Sequence, residues 1–283
     1  MAMHEKGSNM EVAKLETQAN EMRKDIIRMI AEAGSGHPGG SLSCADIMTA
    51  LYFGGVMNYD PADPQLASRD RFIMAKGHAA PALYATLAHA GYFDRAELMT
   101  LRKLGTRLQG HPDSNLLPGV EVGTGSLGQG LSIAAGMAAG LRLHDSDSTV
   151  FTVMGDGEVE EGQVWEAATF AAHQKLGNLV AIVDFNGLQI DGNITDVCQT
   201  EGLDQKFAAF GWDVRTVNGH DIAALVEVLN QCKAEAGDKP HCIIASTIKG
   251  KGVSFMEGQA GWHGKAPNAE QTEQALAELE ERA

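Results

Sequence analysis

Two stretches decide how this chain folds: Thr149–Gly162, TVFTVMGDGEVEEG, and Asn178–Gly187, NLVAIVDFNG. Each opens on an apolar run and closes on an Asp or Asn beside glycine. A strand whose apolar residues do not alternate with polar ones is buried on both faces, as in a parallel sheet. Between them, Gln163–Gln174 carries a helical pattern, so the segment is a strand–helix–strand unit. The first strand runs into four carboxylates, Asp156, Glu158, Glu160 and Glu161. Such a cluster is either a solvated acidic turn or a cation site. GDG alone is commonly a turn, and DFNG alone a loop after a strand.

Further segments extend the same alternation. Val12–Ala33 reads as a helix with Ile26, Ile27, Met29 and Ile30 on or near one face, ending in the loop GSGHPGGS, residues 34–41. Leu42–Phe53, Ala82–Ala90, Leu131–Leu143, Leu203–Phe210 and Ile222–Cys232 read as helices. Arg71–Ala75, Trp212–Val217 and His241–Thr247 read as strands, while Leu104–Glu121 is irregular. Strands separated by helices predict an α/β fold, a parallel sheet flanked by helices on both faces. No repeat or linker divides the chain. One domain is expected over residues 1–283, with an N-terminal helical segment at 10–33 and an acidic helical tail at 268–283, read as solvated. The helix after residue 130 is built of small residues, Ala134, Ala135, Gly136, Ala138, Ala139 and Gly140, which permit close packing within the domain or against another subunit.

The 283 residues carry a net charge of −15, with 44% hydrophobic and 21% charged residues. That balance suits a globular protein and argues against nonspecific binding to nucleic acid or anionic membranes, which calls for basic patches. It leaves room for an anionic ligand, because local amides and a metal override the global field. Cys44, Cys198, Cys232 and Cys242 form no C-x-x-C pair and read as reduced cysteines. The richest apolar run, Leu131–Leu141, is about half the length of a membrane span. The start, MAMHEKGSNM, lacks the apolar core of a signal peptide. A soluble, cytoplasmic protein is expected.

In an open parallel sheet, ligands collect at the carboxyl ends of the strands. Asp156 and Asn186 both project from such ends. With the Leu188 carbonyl they make half of a hard-oxygen shell, which Mg²⁺ completes with water and phosphate oxygens. Glycine amides and helix N-termini add donors for a diphosphate. GTGSLG also scans as G-x-G-x-x-G through Gly123, Gly125 and Gly128. A dinucleotide site needs a clear strand before it and an acid ending the next strand. NLLPGVEV is a poor strand and the next one ends in GDG, so the nicotinamide reading fails.

GDG followed by a helix, an apolar strand and Asn is similar to the thiamine diphosphate motif. SGHPGGS (35–41), KGHAAPALY (76–84), GHPD (110–113), TGSLGQG (124–130), GDGEVEEGQVWEA (155–167) and IKGKGVSFMEGQAGWHG (248–264) resemble transketolase. They occur in the family's order across residues 10–265. The resemblance implies the diphosphate-binding module of the thiamin diphosphate-binding fold. It places Gly125, Ser126, Leu127, Gly155, Asp156, Gly157, Asn186 and His78 at the cofactor, and Asp156, Asn186 and Leu188 on Mg²⁺ or Ca²⁺. It brings His37, His78, His111 and His263 to the reacting centre, and puts Glu161 and Glu166 at a subunit interface. A helix N-terminus in solvent, where acids suit the macrodipole, also accounts for these two glutamates. No role follows for Glu158 and Glu160, which are read as facing water.

Four histidines in loops also suit the chemistry directly. A ketose hydroxyl has to lose a proton and an aldose carbonyl has to be polarised, and imidazole does both near neutral pH. Taken singly, each is better read as a loop histidine bonded to backbone, the reading kept for His4, His89, His144, His173, His220 and His241. A full transketolase continues into a pyrimidine-binding half carrying the glutamate that activates the cofactor. GSGHPGGSLS and AKGH resemble the N-terminal subunits of split transketolases. The resemblance thus implies a heterotetramer formed with a complementary C-terminal subunit, sugar phosphate substrates, and no activity from this chain alone. The other readings are a component of a 2-oxo acid dehydrogenase, which needs no clamp for sugar hydroxyls, and a catalytically silent cofactor-binding subunit.

Overall fold

The run NLVAIVDF forms the middle strand of a five-stranded sheet. The computed structural model describes residues 12–198 and 202–281. In chain order the elements are α1 (Val12–Ala33), α2 (Pro38–Ser43), α3 (Ala45–Phe53), β1 (Arg71–Met74), α4 (Ala80–His89), α5 (Gln129–Leu143), β2 (Val150–Gly155), α6 (Gly162–His173) and β3 (Leu179–Phe185). There follow a small hairpin of β4 (Leu188–Gln189) and β5 (Gly192–Asn193), then α7 (Ile194–Val197), α8 (Leu203–Ala209), β6 (Asp213–Asn218), α9 (Ile222–Ala234), β7 (His241–Ser246) and α10 (Ala269–Glu280). The first two residues of the expected 10–33 segment, the last two of the tail and the sequence MAMHEKGSNM lie outside the described residues.

The large sheet is parallel throughout, in the order β1-β2-β3-β7-β6, with Val153 beside Ile182 and Ile182 beside Ile243. Successive residues of a strand serve opposite cores. Phe151, Val153, Val180, Ile182 and Ile243 join α1, α3, α4 and α9, whereas Val150, Met154, Leu179, Ala181 and Val183 join α5, α6 and α8. Both faces are dry, so the strands show no polar alternation. In the second core, Ala134, Ala135 and Ala138 of α5 and Ala167, Ala168 and Ala171 of α6 let the two helices lie close to the sheet. The buried side of the small-residue helix therefore packs within the domain.

Topology fixes where a ligand can sit. From β1 through β2 to β3 the chain steps one way across the sheet, with α5 and α6 on one face. It then passes one position to β6 and steps back through α9, on the other face, to β7. Right-handed crossovers require that change of face. The direction reverses between β3 and β7, which opens a crevice beyond their carboxyl ends.

Three local expectations are corrected. The loop at residues 34–41 holds the start of a short helix, because Pro38 at its first turn needs no N–H partner there and ends only α1. The predicted helix 42–53 breaks at Cys44, where the backbone leaves helical geometry (φ −92°, ψ 5°). The tail helix α10 is docked rather than solvated. An Asn268–Gln271 capping box starts it, Ala275 and Leu279 are buried, and Asn20 Nδ2 of α1 donates to the Leu279 carbonyl at 2.6 Å. Among the described residues no helix is long and apolar enough to cross a membrane. All four cysteines are unpaired, Cys44, Cys232 and Cys242 buried and Cys198 exposed.

Candidate active site

Four loops at the carboxyl edge of the sheet carry the charged groups. Lys76 and His78 follow β1, Asp156 follows β2, Asn186 and Leu188 follow β3, and Thr247 and Lys249 follow β7. Asp156 is buried, its Oδ1 accepting from the Gly157 N–H at 2.8 Å and its Oδ2 from the Gly187 N–H at 2.5 Å. The second bond draws the Asn186–Leu188 turn onto the aspartate. Asn186 Oδ1 accepts from the Leu188 N–H at 3.2 Å, and the Leu188 carbonyl accepts from Lys249 Nζ at 3.1 Å. The three residues expected to bind metal thus meet in one place. Burial, reinforced by nearby Asp184, pushes the Asp156 carboxyl up to about 6. Such a carboxylate gains from a cation beside it. One carboxylate, one amide oxygen and one carbonyl could hold a hard divalent ion.

The turn of residues 123–128 packs against Gly77, just after β1, and against His111. Gly125 (φ +138°) has a conformation that side chains avoid, and a Cβ there would sit 2.7 Å from the His111 ring. Gly128 (φ +85°) is closed off in the same way by Glu161, 2.6 Å away. Ser126 and Leu127 are exposed at the tip, with Gln129 Nε2 donating to Ser126 Oγ at 2.9 Å. The hydroxyl of Thr124, packed against Gly77 beside His78, is buried without a hydrogen-bond partner among the described residues. A buried polar atom of that kind suits a bound polar ligand.

The four predicted histidines converge. Ring centroids lie 5.4 Å apart for His37 and His78, 5.0 Å for His78 and His263, 5.5 Å for His37 and His263, and 6.4 Å for His37 and His111. Burial lowers His37 and His263 to about 4, helped by the cations Arg102 and Lys249 respectively. Burial takes His78 well below its ordinary value, and His111, at the rim, is lowered by partial burial and by Arg102. All four are neutral at pH 7, each presenting one donor and one acceptor nitrogen. Lys249 Nζ donates to His263 Nδ1 at 2.9 Å, so the His263 proton resides on Nε2. His89, His220 and His241 instead bind Asp25, Asp46 and Asp213, as structural histidines do.

Sequence reasoning missed four charged groups here. Lys76 is buried, donates to the Gly40 carbonyl at 2.7 Å and pairs with Asp184, which also accepts from Ser43 Oγ at 2.5 Å and from Thr247 Oγ1. Burial opposes charge on both partners, yet each holds the other ionised: Lys76 is raised and Asp184 lowered. Lys249 is buried too, which brings it down to about 8 in spite of Asp156. Glu158, expected to face water, is buried instead. Its two oxygens accept from the Gly128 and Gly155 N–H groups, each at 3.1 Å, tying the 123–128 turn to the end of β2. Glu160 is half-buried and accepts from Gln189 Nε2 at 3.0 Å. Glu161 and Glu166 are exposed.

Residues 15–280 match the model of the transketolase thiamine diphosphate-binding domain. The chain belongs to the transketolase family. It is 44% identical over 273 residues to an apulose-4-phosphate transketolase subunit of Phocaeicola vulgatus, covering 96% of each chain. It is likewise 44% identical over 266 residues to a 6-deoxy-6-sulfo-D-fructose transketolase subunit of Clostridium sp., covering 94% of this chain and 96% of that one. Human transketolase is 40% identical over 280 residues, and this transketolase chain spans 44% of its length. Among solved structures, Leishmania mexicana transketolase superposes with a TM-score of 0.89 at 34% identity, covering 94% of this chain and 41% of that one. The fold is that of the thiamine diphosphate-binding part of transketolases, and the chain is a transketolase subunit.

Proposed function

We propose that this chain is the diphosphate-binding subunit of a two-chain transketolase, moving a two-carbon ketol unit from a ketose phosphate to an aldose phosphate. The convergence of four neutral histidines, joined through Lys249 to the Leu188 carbonyl of the Asp156–Asn186–Leu188 group, supports the reading most directly. In it, Asp156, Asn186 Oδ1 and the Leu188 carbonyl hold Mg²⁺ or Ca²⁺. His78, Gly125, Ser126, Leu127, Gly155 and Gly157 line thiamine diphosphate. When bound, this cofactor supplies the electron sink for cleaving the bond beside the ketose carbonyl. His263, with its proton on Nε2, donates toward a sugar oxygen, while His78 and His111 accept or return protons at the sugar hydroxyls and carbonyl, with His37 beside them. Lys249 orients His263, and the Lys76–Asp184 pair braces the floor beneath His78.

A complementary C-terminal subunit would carry the pyrimidine-binding domain and its activating glutamate, the two kinds of chain assembling as a heterotetramer. The relatives whose own names call them transketolase subunits support that pairing. We place exposed Glu161 and Glu166 at the subunit interface. Glu161→Gln should then weaken association or cofactor activation, whereas unchanged association and activity would contradict the placement. A cytoplasmic location accords with the four unpaired cysteines. Calorimetric titration of thiamine diphosphate with Mg²⁺ tests the cofactor site. Tight binding is expected for the wild-type chain and its loss for Asp156→Ala; equal binding by both would overturn the metal assignment.

A further inference from the structure

Arg102 lies at the rim of the histidine cluster, on a segment built to hold it still. Leu101 and Leu108 are buried on either side, and Thr106 Oγ1 donates to the Thr100 carbonyl at 2.9 Å. Arg102 itself sits at φ +60°, uncommon for a residue with a side chain, held by its N–H bond to the Leu108 carbonyl at 2.8 Å. Its guanidinium lies flat on Gly110, the residue before His111. A Cβ on Gly110 would sit 3.0 Å from the guanidinium carbon, so a side chain there would push the guanidinium off this position.

Among the described residues the guanidinium has no carboxylate partner. Its Nη1 donates to Ser35 Oγ at 2.9 Å and its Nη2 reaches His37 Nδ1 at 3.5 Å. Arginine has donors only, so Nδ1 of His37 is the acceptor and its ring proton resides on Nε2. The Nε2 edge lies toward Gly264, beside His263. The other charged or titratable groups facing His37 are His78, His111, His263 and Lys249, so no acid among them offsets the cation.

We infer that Arg102 is a positioning residue, which fixes His37 as the neutral Nε2–H tautomer and so makes it a hydrogen-bond donor toward substrate. The inference rests on the histidine cluster being the reacting surface proposed above. Burial is the largest cause of the low proton affinity of His37, and Arg102 is the largest charge contribution to it.

The test reads the histidine itself. The full chain, labelled with ¹⁵N-histidine and assigned with His37→Gln, is titrated between about pH 4 and 8 by long-range ¹H–¹⁵N spectra. In wild type, His37 should stay neutral with its proton on Nε2 until close to its midpoint of about 4. In Arg102→Gln the midpoint should rise by about one unit and the Nδ1–H form should appear. Arg102→Lys should keep the low midpoint but release the tautomer, since ammonium brings charge without the fixed fork. Ser35→Ala, which frees the anchor, should shift the tautomer in the same sense. An unchanged midpoint and tautomer in Arg102→Gln would overturn the assignment. A shift supports it whatever a ketol-transfer assay gives, so its failure and that of the functional reading are separable.

Discussion

Asp156 and Glu158 stand two residues apart and do different work. Asp156 gathers the turn after β3 through the Gly187 N–H, and Glu158 clamps one backbone amide from the 123–128 turn and one from the end of β2. Burial raises the Glu158 carboxyl from 4.5 to about 7. The folded chain therefore holds this proton where the unfolded chain has released it. Its contribution to stability is full below about pH 4.5 and is lost as pH rises through about 7. Urea unfolding of wild type and Glu158→Gln should show stability falling less steeply across that window in the variant. Identical pH dependence in both would show that Glu158 ionises in the fold as it does in the unfolded chain. Nothing in VMGDGEVEEG separates Glu158 from Glu160 or Glu161, because the difference lies in Gly128, thirty residues away in sequence.

At the scale of elements, most of the fold was legible. Apolar runs without alternation require two covered faces, and α5, α6 and α8 on one side and α1, α3, α4 and α9 on the other supply them. The cation-binding candidates and the histidines were legible because each stands at a strand end or in a Gly/Pro-rich loop. Lys76, Lys249 and Asp184 were not, since a buried lysine looks like a surface one until its partner is known. The position of Lys76 directly after β1, before Gly77 and His78, was the available signal. The tail helix was misread because Ala275 and Leu279 offer only a narrow apolar stripe among acids, and only α1 shows what covers it. Leu279→Ala should destabilise the chain by about 2–5 kcal/mol, measured from the denaturant midpoint, as for a buried leucine. A change below about 0.5 kcal/mol, typical of a surface position, would mean that α10 is not docked in solution.

For the whole molecule, the reversal of strand order between β3 and β7 gathers the candidate site at one edge of the sheet. There Lys249 links the Asp156 group, through the Leu188 carbonyl, to the histidine cluster, through His263. Human transketolase is more than twice as long as the region this chain matches, while the match covers 96% of each of two chains named as subunits. The two-subunit account makes a sharp demand on activity. Its most direct test is ketol transfer between ketose and aldose phosphates, with thiamine diphosphate and Mg²⁺ supplied. The purified chain would be assayed alone and after co-expression with the product of the neighbouring gene. The account predicts no transfer by the chain alone and transfer by the co-purified pair. Full transfer by the chain alone would contradict it.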